Sequence, residues 1–317
     1  MADVPKFKLN TRAEMPAIGL GAWAGTTQER RREAWRFILS GLKSGYRLID
    51  TAWNYGTEKG TAEAIRKSGI PRSDVWITTK LHYLSFNHQH HGPYVEEFFE
   101  ESLKNLETDY VDLYLLHWPQ HSKYVEGVRE PLDDHGDLIC YDIPIFNETW
   151  ARMEKLYNSG RAKAIGVSNF SVKNLKKLLE TAKVVPAVNQ VEMHPYLAQQ
   201  ELKDFCDDKG IVLTAYTPTG RSPPYFSPSA VRHRFNEIAE KYKVSPAQII
   251  LSWHVARGVS VVRRSSNEQR QKDNFNLPKL DTEDIKRIDA LDRNQRICNA
   301  ANERGKVWGW TYEQLGR

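Results

Sequence analysis

The chain has 317 residues, 40% of them hydrophobic, with 45 basic residues against 40 acidic ones for a formal net charge of +5. That length can bury a substantial core in one domain spanning residues 1–317, and so slight a basic excess, without a clustered stripe, gives no case for nucleic acid while suiting a small anionic ligand. No 18-residue apolar run and no charged-then-apolar start is present, and Cys140, Cys206 and Cys298 are too scattered for a disulfide framework or a zinc pair, so the expectation is a soluble, cytoplasmic protein without membrane partner or metal.

Residues 6–9 and 17–20 flank the turn-like stretch 10–16, which predicts a small hairpin leading into a first strand. Ala34, Trp35, Ile38, Leu39 and Leu42 then recur at helical spacing, Gly45 closes that helix, and Leu48 opens a strand that ends on Asp50. The alternation repeats, with helices near 57–68, 95–106, 146–159, 172–182 and 199–209 and strands at 75–79, 111–116, 164–167, 187–191, 211–215 and 259–262. Strand 17–20 completes eight, which favours a closed α/β barrel over an open sheet. A long polar insert at 120–144 follows the fourth strand, and a tail at 295–317 carries Trp308, Trp310 and Tyr312 without core-helix periodicity.

Three successive strand-like runs end on chemistry-bearing residues: Asp50 with Tyr55 shortly after it, Lys80 after Thr79, and His117 after Leu116. In parallel sheets functional side chains gather where strands end and loops begin. These positions lie within the motifs Gly19-Leu20-Gly21-Ala22-Trp23, Asp50-Thr51-Ala52, Thr79-Lys80-Leu81, Leu116-His117-Trp118-Pro119, Gly166-Val167-Ser168-Asn169-Phe170 and Asn189-Gln190-Val191-Glu192. Together they resemble the aldo-keto reductase family over nearly the whole chain, with a pattern similar to that of fungal xylose and glycerol-type reductases.

The resemblance implies a (β/α)8 TIM barrel that uses a nicotinamide cofactor without a Rossmann domain, and a C-terminal segment that helps wall the substrate pocket. Carbonyl reduction needs a hydride on carbon and a proton on oxygen. By the family's pattern Tyr55 gives the proton, Lys80 favours the phenolate and so brings its pKa towards the working range, Asp50 holds Lys80, and His117 orients the carbonyl. Ser168, Asn169 and Gln190 match residues that hold the nicotinamide carboxamide, and Tyr216 matches the ring that stacks beneath it. Ser168-Asn169 also reads simply as the cap of the following helix, and Tyr216 as core.

Two departures from the pattern bear on specificity. Where relatives more often have Ile-Pro-Lys-Ser, this chain has Val262-Arg263-Arg264-Ser265, with Arg270 further on and Asp273 and Asn274 at adenine-contact positions. A guanidinium can grip a phosphate bidentately, so the expectation is NADPH/NADP+, with NADH as a weaker alternative. His82 stands where relatives often have Trp, and with Asn54 it would make a pocket lined by Trp23 and Trp118 more polar. His88, His90 and His91 read as an exposed His-rich loop rather than a metal site.

The implied activity is reduction of aldoses, glyceraldehyde-like or other small carbonyls by a monomer or weak homodimer. The competing readings are a cofactor-binding regulatory barrel without turnover, and a Rossmann dehydrogenase using Gly19-Leu20-Gly21-Ala22-Trp23-Ala24. The Rossmann reading fails on context, because the helix that should open at that turn is delayed past Gly25-Thr26-Thr27.

Overall fold

The computed structural model describes residues 5–83, 86–87, 92–123, 125, 128, 131–220 and 229–317. The histidine loop at His88, His90 and His91 and part of the 120–144 insert lie outside them. The opening hairpin pairs β1 (Lys6–Lys8) with β2 (Glu14–Pro16), Phe7 opposite Met15. The return strand thus falls within the stretch read as the turn, because Met15, 1% exposed, packs with Leu9 against Leu48, Leu113 and Val188, the first residues of three barrel strands. The hairpin is a plug on the N-terminal end of the barrel.

The barrel strands are β3 (Ile18–Gly21), β4 (Leu48–Asp50) and β5 (Trp76–Leu81). After a two-stranded ribbon, β6 (Phe86–Asn87) with β7 (Gly92–Pro93), come β8 (Leu113–Leu116), β9 (Ile165–Ser168), β10 (Val188–Glu192), β11 (Val212–Tyr216) and β12 (Ser260–Val262). These eight run parallel and close, β12 pairing with β3. Around them lie α1 (Gln28–Arg32), α2 (Ala34–Ser44), α3 (Glu58–Ser68), α4 (Val95–Leu106), α5 (Phe146–Asn158), α6 (Val172–Leu179), α7 (Gln200–Asp208), α8 (Ser229–Tyr242), α9 (Pro246–Ala256), α10 (Glu268–Asp273) and α11 (Thr282–Asp289). This is the expected (β/α)8 architecture, with most strand limits displaced by one or two residues from the sequence reading.

Outward side chains such as Ile49, Ile77, Val167 and Val191 pack against Ile38, Phe99, Trp150 and Leu175 from the helices, forming the main core. Two glycines permit the close approaches. A Cβ on Gly41 would lie 2.5 Å from Leu20 Cδ2, and one on Gly19 would lie 2.3 Å from Leu48 Cδ2. Gly19 therefore serves barrel packing rather than a phosphate turn, and no helix opens before Gln28.

Helices α8 and α9 were not legible as amphipathic faces. In α9, Ile249, Ile250, Leu251 and Trp253 are all buried, so no polar face alternates with an apolar one; its clear signal is the start, Ser245-Pro246 with Gln248 closing a reciprocal cap. From α9 the fully buried His254 holds the Pro218 carbonyl through Nε2 at 3.0 Å, and burial pushes its pKa from 6.5 down to about 3. A depressed folded-state pKa stabilises above the unfolded value and is lost on acidification. Stability contributed by neutral His254 should accordingly decline as pH falls from 6.5 towards about 3, and a His254→Gln variant should show a shallower loss of Tm across that window.

The tail forms β13 (Lys306–Val307), β14 (Trp310–Thr311) and α12 (Tyr312–Leu315) rather than a core helix. Trp310, 2% exposed, donates Nε1–H to Tyr141 O at 2.7 Å, while Arg304 binds Asp137 and Asn302 donates to the same carboxylate at 2.6 Å. Val307, Trp310 and Leu315 share an apolar cluster with Tyr83, Trp118 and Leu138. Tail and insert thus pack together over the C-terminal end of the barrel. Among the described residues no helix is long and apolar enough to cross a membrane, and no cluster of acidic, His and Cys side chains could hold a metal ion.

Candidate active site

Side chains alternate along β5, so Ile77 and Thr79 face the helices while Thr78 and Lys80 face the barrel interior. Thr79 Oγ1 donates to Glu58 of α3 at 2.7 Å, which fixes the outward side. Inside, Lys80 is 0% exposed and Asp50, the last residue of β4, 3%. Lys80 Nζ donates to Asp50 Oδ1 and to Thr51 O, each at 2.8 Å, and Asp50 Oδ2 accepts from Gln190 Nε2 at 2.7 Å. Burial pulls the Lys80 pKa down, and Asp50 opposes that pull. Two charges taken out of water are weak as a stability device, so a pair kept here points to a working site.

Tyr55 ends the short turn Trp53–Tyr55, and Gly56 at φ 63° turns the chain away into α3. The half-buried phenol ring lies edge-on to Trp23 at 5.2 Å and to His117 at 5.7 Å between centroids. Lys80 Nζ sits 4.9 Å from the Tyr55 ring centroid, over its face, with its hydrogen bonds directed to Asp50 and Thr51. The expectation that Lys80 brings the Tyr55 pKa towards neutrality is therefore corrected. Burial raises it above 10.0 and the Asp50 carboxylate raises it further, so the group is a neutral phenol across the working range.

His117 follows β8 and is 8% exposed, and its Nδ1 has no hydrogen-bond partner among the described residues. Burial, then the Lys80 charge, hold its pKa well below the usual histidine range, leaving a neutral imidazole with one N–H to donate. Its carbonyl accepts from Asn169 Nδ2 at 3.0 Å.

Ser168 and Asn169 are not the cap of α6; that position belongs to Ser171, whose side chain accepts from Asn174 N. Freed from capping, Ser168 Oγ donates to Gln190 O at 2.8 Å, and Asn169, held at φ 65°, accepts from Tyr216 OH at 2.6 Å. Tyr216 OH also accepts from Asn299 Nδ2. Ser168, Asn169, Gln190 and Tyr216 are thus brought together and tied to Asp50 through Gln190. Asn299, one residue past Cys298, was missed because nothing in the tail's composition marks one Asn among its polar residues.

The basic stretch after β12 divides. Arg264 and Arg270 are exposed, and neither has an ion-pair partner among the described residues; the Arg264 guanidinium lies 5.1 Å over the Phe37 ring. Unpaired guanidinium groups beside the barrel mouth fit a phosphate. The inner members are used within the protein: Ser265 Oγ accepts from Asn267 N at 3.3 Å, and Asp273 accepts from Gln269 at 2.8 Å. Asn274 donates to Tyr46 OH at 2.8 Å and accepts from Arg263 at 3.1 Å. Asn274, at an adenine-contact position of the family's pattern, is thus buried and also braces Arg263.

At the rim, Trp23 is 43% exposed and Trp118 8%. Asn54 keeps a buried Oδ1 without a hydrogen-bond partner among the described residues. His82 is 0% exposed and packed among Trp53, Tyr83 and Phe98 at 4.6, 4.4 and 5.3 Å between centroids, so it is a member of an aromatic stack rather than an open polar wall. Trp308 of the tail lies beside them, 49% exposed and 6.4 Å from Trp118.

The Aldo/keto reductase family model matches residues 17–293. Over 298 residues the chain is 42% identical to glycerol 2-dehydrogenase (NADP(+)) of Saccharomyces cerevisiae, covering 91% of each chain. Over 301 residues it is 39% identical to aldehyde reductase YPR1 of the same yeast, covering 90% of each. The structure of the aldose reductase from Schistosoma japonicum superposes with a TM-score of 0.81 at 32% identity, covering 93% of this chain and 94% of that one.

Proposed function

The chain belongs to the aldo/keto reductase family, and from that premise we propose that it reduces an aldehyde or ketone to an alcohol with NADPH, Tyr55 giving the proton. The observation that carries this reading is the buried Lys80–Asp50 pair set against the Tyr55 ring and closed by Gln190. Ser168, Asn169 and Gln190 would hold the carboxamide, Tyr216 would support the ring, and Arg264 with Arg270 would take the 2′-phosphate. Bound there, the reduced nicotinamide supplies a hydride to the carbonyl carbon.

The chain's own residues do the rest. The neutral His117 imidazole donates one hydrogen bond to the carbonyl oxygen, polarising it and favouring the charge that develops there. Tyr55 then delivers its proton to that oxygen. Trp23, Trp118 and Trp308 exclude water, which strengthens both contacts. Relatives named for aldehyde and glycerol reactions favour small carbonyls, including aldoses and glyceraldehyde, as substrates.

Product analysis tests this reading. With glyceraldehyde and NADPH, proton NMR should show glycerol formed one-for-one with cofactor oxidised; saturable cofactor binding without alcohol across an aldehyde panel would favour the regulatory barrel. A separate prediction concerns cofactor choice. Arg264→Ala should weaken NADPH binding by about 1–3 kcal/mol more than NADH binding, as expected for loss of a charge-assisted contact, measured by fluorescence titration. Equal losses would place Arg264 away from the phosphate.

A further inference from the structure

Between α6, α7 and the tail lies a cavity of about 1370 Å³ whose lining includes Asn169 but not Tyr55, Lys80 or His117. Arg296 and Arg317 line it, together with Asn169, Glu192 and Tyr312. Both guanidinium groups are half-buried, and neither has an ion-pair partner among the described residues. Arg317 Nη1 is fully buried without a hydrogen-bond partner there, and the group's aromatic neighbour is Trp118, 5.8 Å to the ring centroid and near the limit of a cation–π contact.

The hydrogen bonding of this arrangement is incomplete. The carboxylate facing both arginines is Glu192, and it is already engaged: it accepts from Ile297 N at 2.6 Å, Cys298 N at 2.9 Å and Asn299 N at 3.3 Å, with His194 Nε2 at 3.2 Å. Burial, then the Arg296 charge, push the Arg317 pKa down to about 10, so it remains a cation at neutral pH. Glu192 faces both guanidinium groups, and Asp142, Glu180, Glu201 and Asp292 also line the cavity, yet neither arginine forms an ion pair among the described residues, so the buried Arg317 Nη1 keeps a donor that an anion would satisfy.

We propose that Arg296 and Arg317 form an anion-binding site in this cavity, separate from the reaction site, for a small oxyanion group of the carboxylate or phosphate class. The forked guanidinium donors match such a group, and the unused Nη1 is the donor that awaits it. The site backs onto the cofactor-side network: Asn169 lines the same cavity, and Tyr216, which hydrogen-bonds Asn169, faces both arginines. A bound anion therefore couples to the nicotinamide wall, and by linkage cofactor binding changes anion affinity by the same factor.

The test is isothermal titration of the full chain with inorganic phosphate at constant ionic strength in chloride, paired with thermal unfolding. Arg317→Met and Arg296→Met should each weaken phosphate binding at this site by at least about tenfold, as loss of a charged fork requires, and should reduce the phosphate-induced rise in Tm. Arg264→Ala, which removes a contact of the proposed 2′-phosphate site, reports phosphate bound there and should retain the part of both effects that Arg317→Met removes. Without phosphate, Arg317→Met should unfold at a Tm equal to or above that of the parent, because an unpaired buried charge has gone; this also shows that the variant folds. No saturable binding, binding unchanged in Arg317→Met, or binding lost only in Arg264→Ala would each overturn the proposal.

Discussion

Tyr55→Phe is expected to lower turnover by about 10²–10⁴-fold, the usual worth of a positioned proton donor, while leaving NADPH affinity nearly unchanged. The argument rests on the neutral phenol. Burial and Asp50 keep Tyr55 protonated through its ordinary pKa of 10.0, so the proton is present throughout the working range. A phenol is by nature a stronger acid than an alcohol, so the proton passes from Tyr55 to the oxygen as negative charge develops on it. Two measurements check this. Stopped-flow turnover of the Phe variant should show the loss in kcat, and the parent's reduction rate should not fall as pH approaches 10.0. Full activity in the Phe variant would remove Tyr55 from the reaction.

Lys80→Met should cost stability as well as turnover, because it leaves the Asp50 carboxylate buried and uncompensated. Breaking such a pair costs about 3–5 kcal/mol, which denaturant unfolding would read as a lowered midpoint. Adding Asp50→Asn removes the stranded charge and keeps an amide oxygen for the hydrogen bond from Gln190 Nε2, so the double variant should recover most of the stability. It should not recover turnover, since the ammonium that faces the Tyr55 ring at 4.9 Å is gone. Recovery of both would reduce the pair to a structural role.

The barrel was legible because alternation of short apolar runs with helical faces is a pattern the fold imposes on the whole chain. What escaped has physical reasons. Met15 belongs to the hairpin because it plugs the barrel floor, a long-range contact that no local propensity reports. Helix α9 lacks an amphipathic face because it is buried nearly all round. At the candidate site, strand ends located Asp50, Tyr55, Lys80 and His117, and the structure brings them to one end of the barrel.

Electrostatics could not be read that way. Whether Lys80 acts on the Tyr55 hydroxyl or on its ring face depends on where Nζ finds its acceptors, and Thr51 O, a backbone atom, is one of them. His82 invited a polar pocket wall by its side chain alone, yet its position among three aromatic rings buries it. The Arg296–Arg317 pair joins two segments of the tail, and only packing reveals that the Glu192 carboxylate is bound by the Ile297, Cys298 and Asn299 amides rather than by either of them.

The central claim, carbonyl reduction with NADPH, meets its most direct test in initial rates of NADPH and, separately, NADH consumption against xylose, glyceraldehyde, a simple aromatic aldehyde and a 2-keto ester. The account predicts turnover with at least one of these carbonyls and a clear preference for NADPH over NADH. Saturable binding of both cofactors with no turnover against any of the four would contradict it.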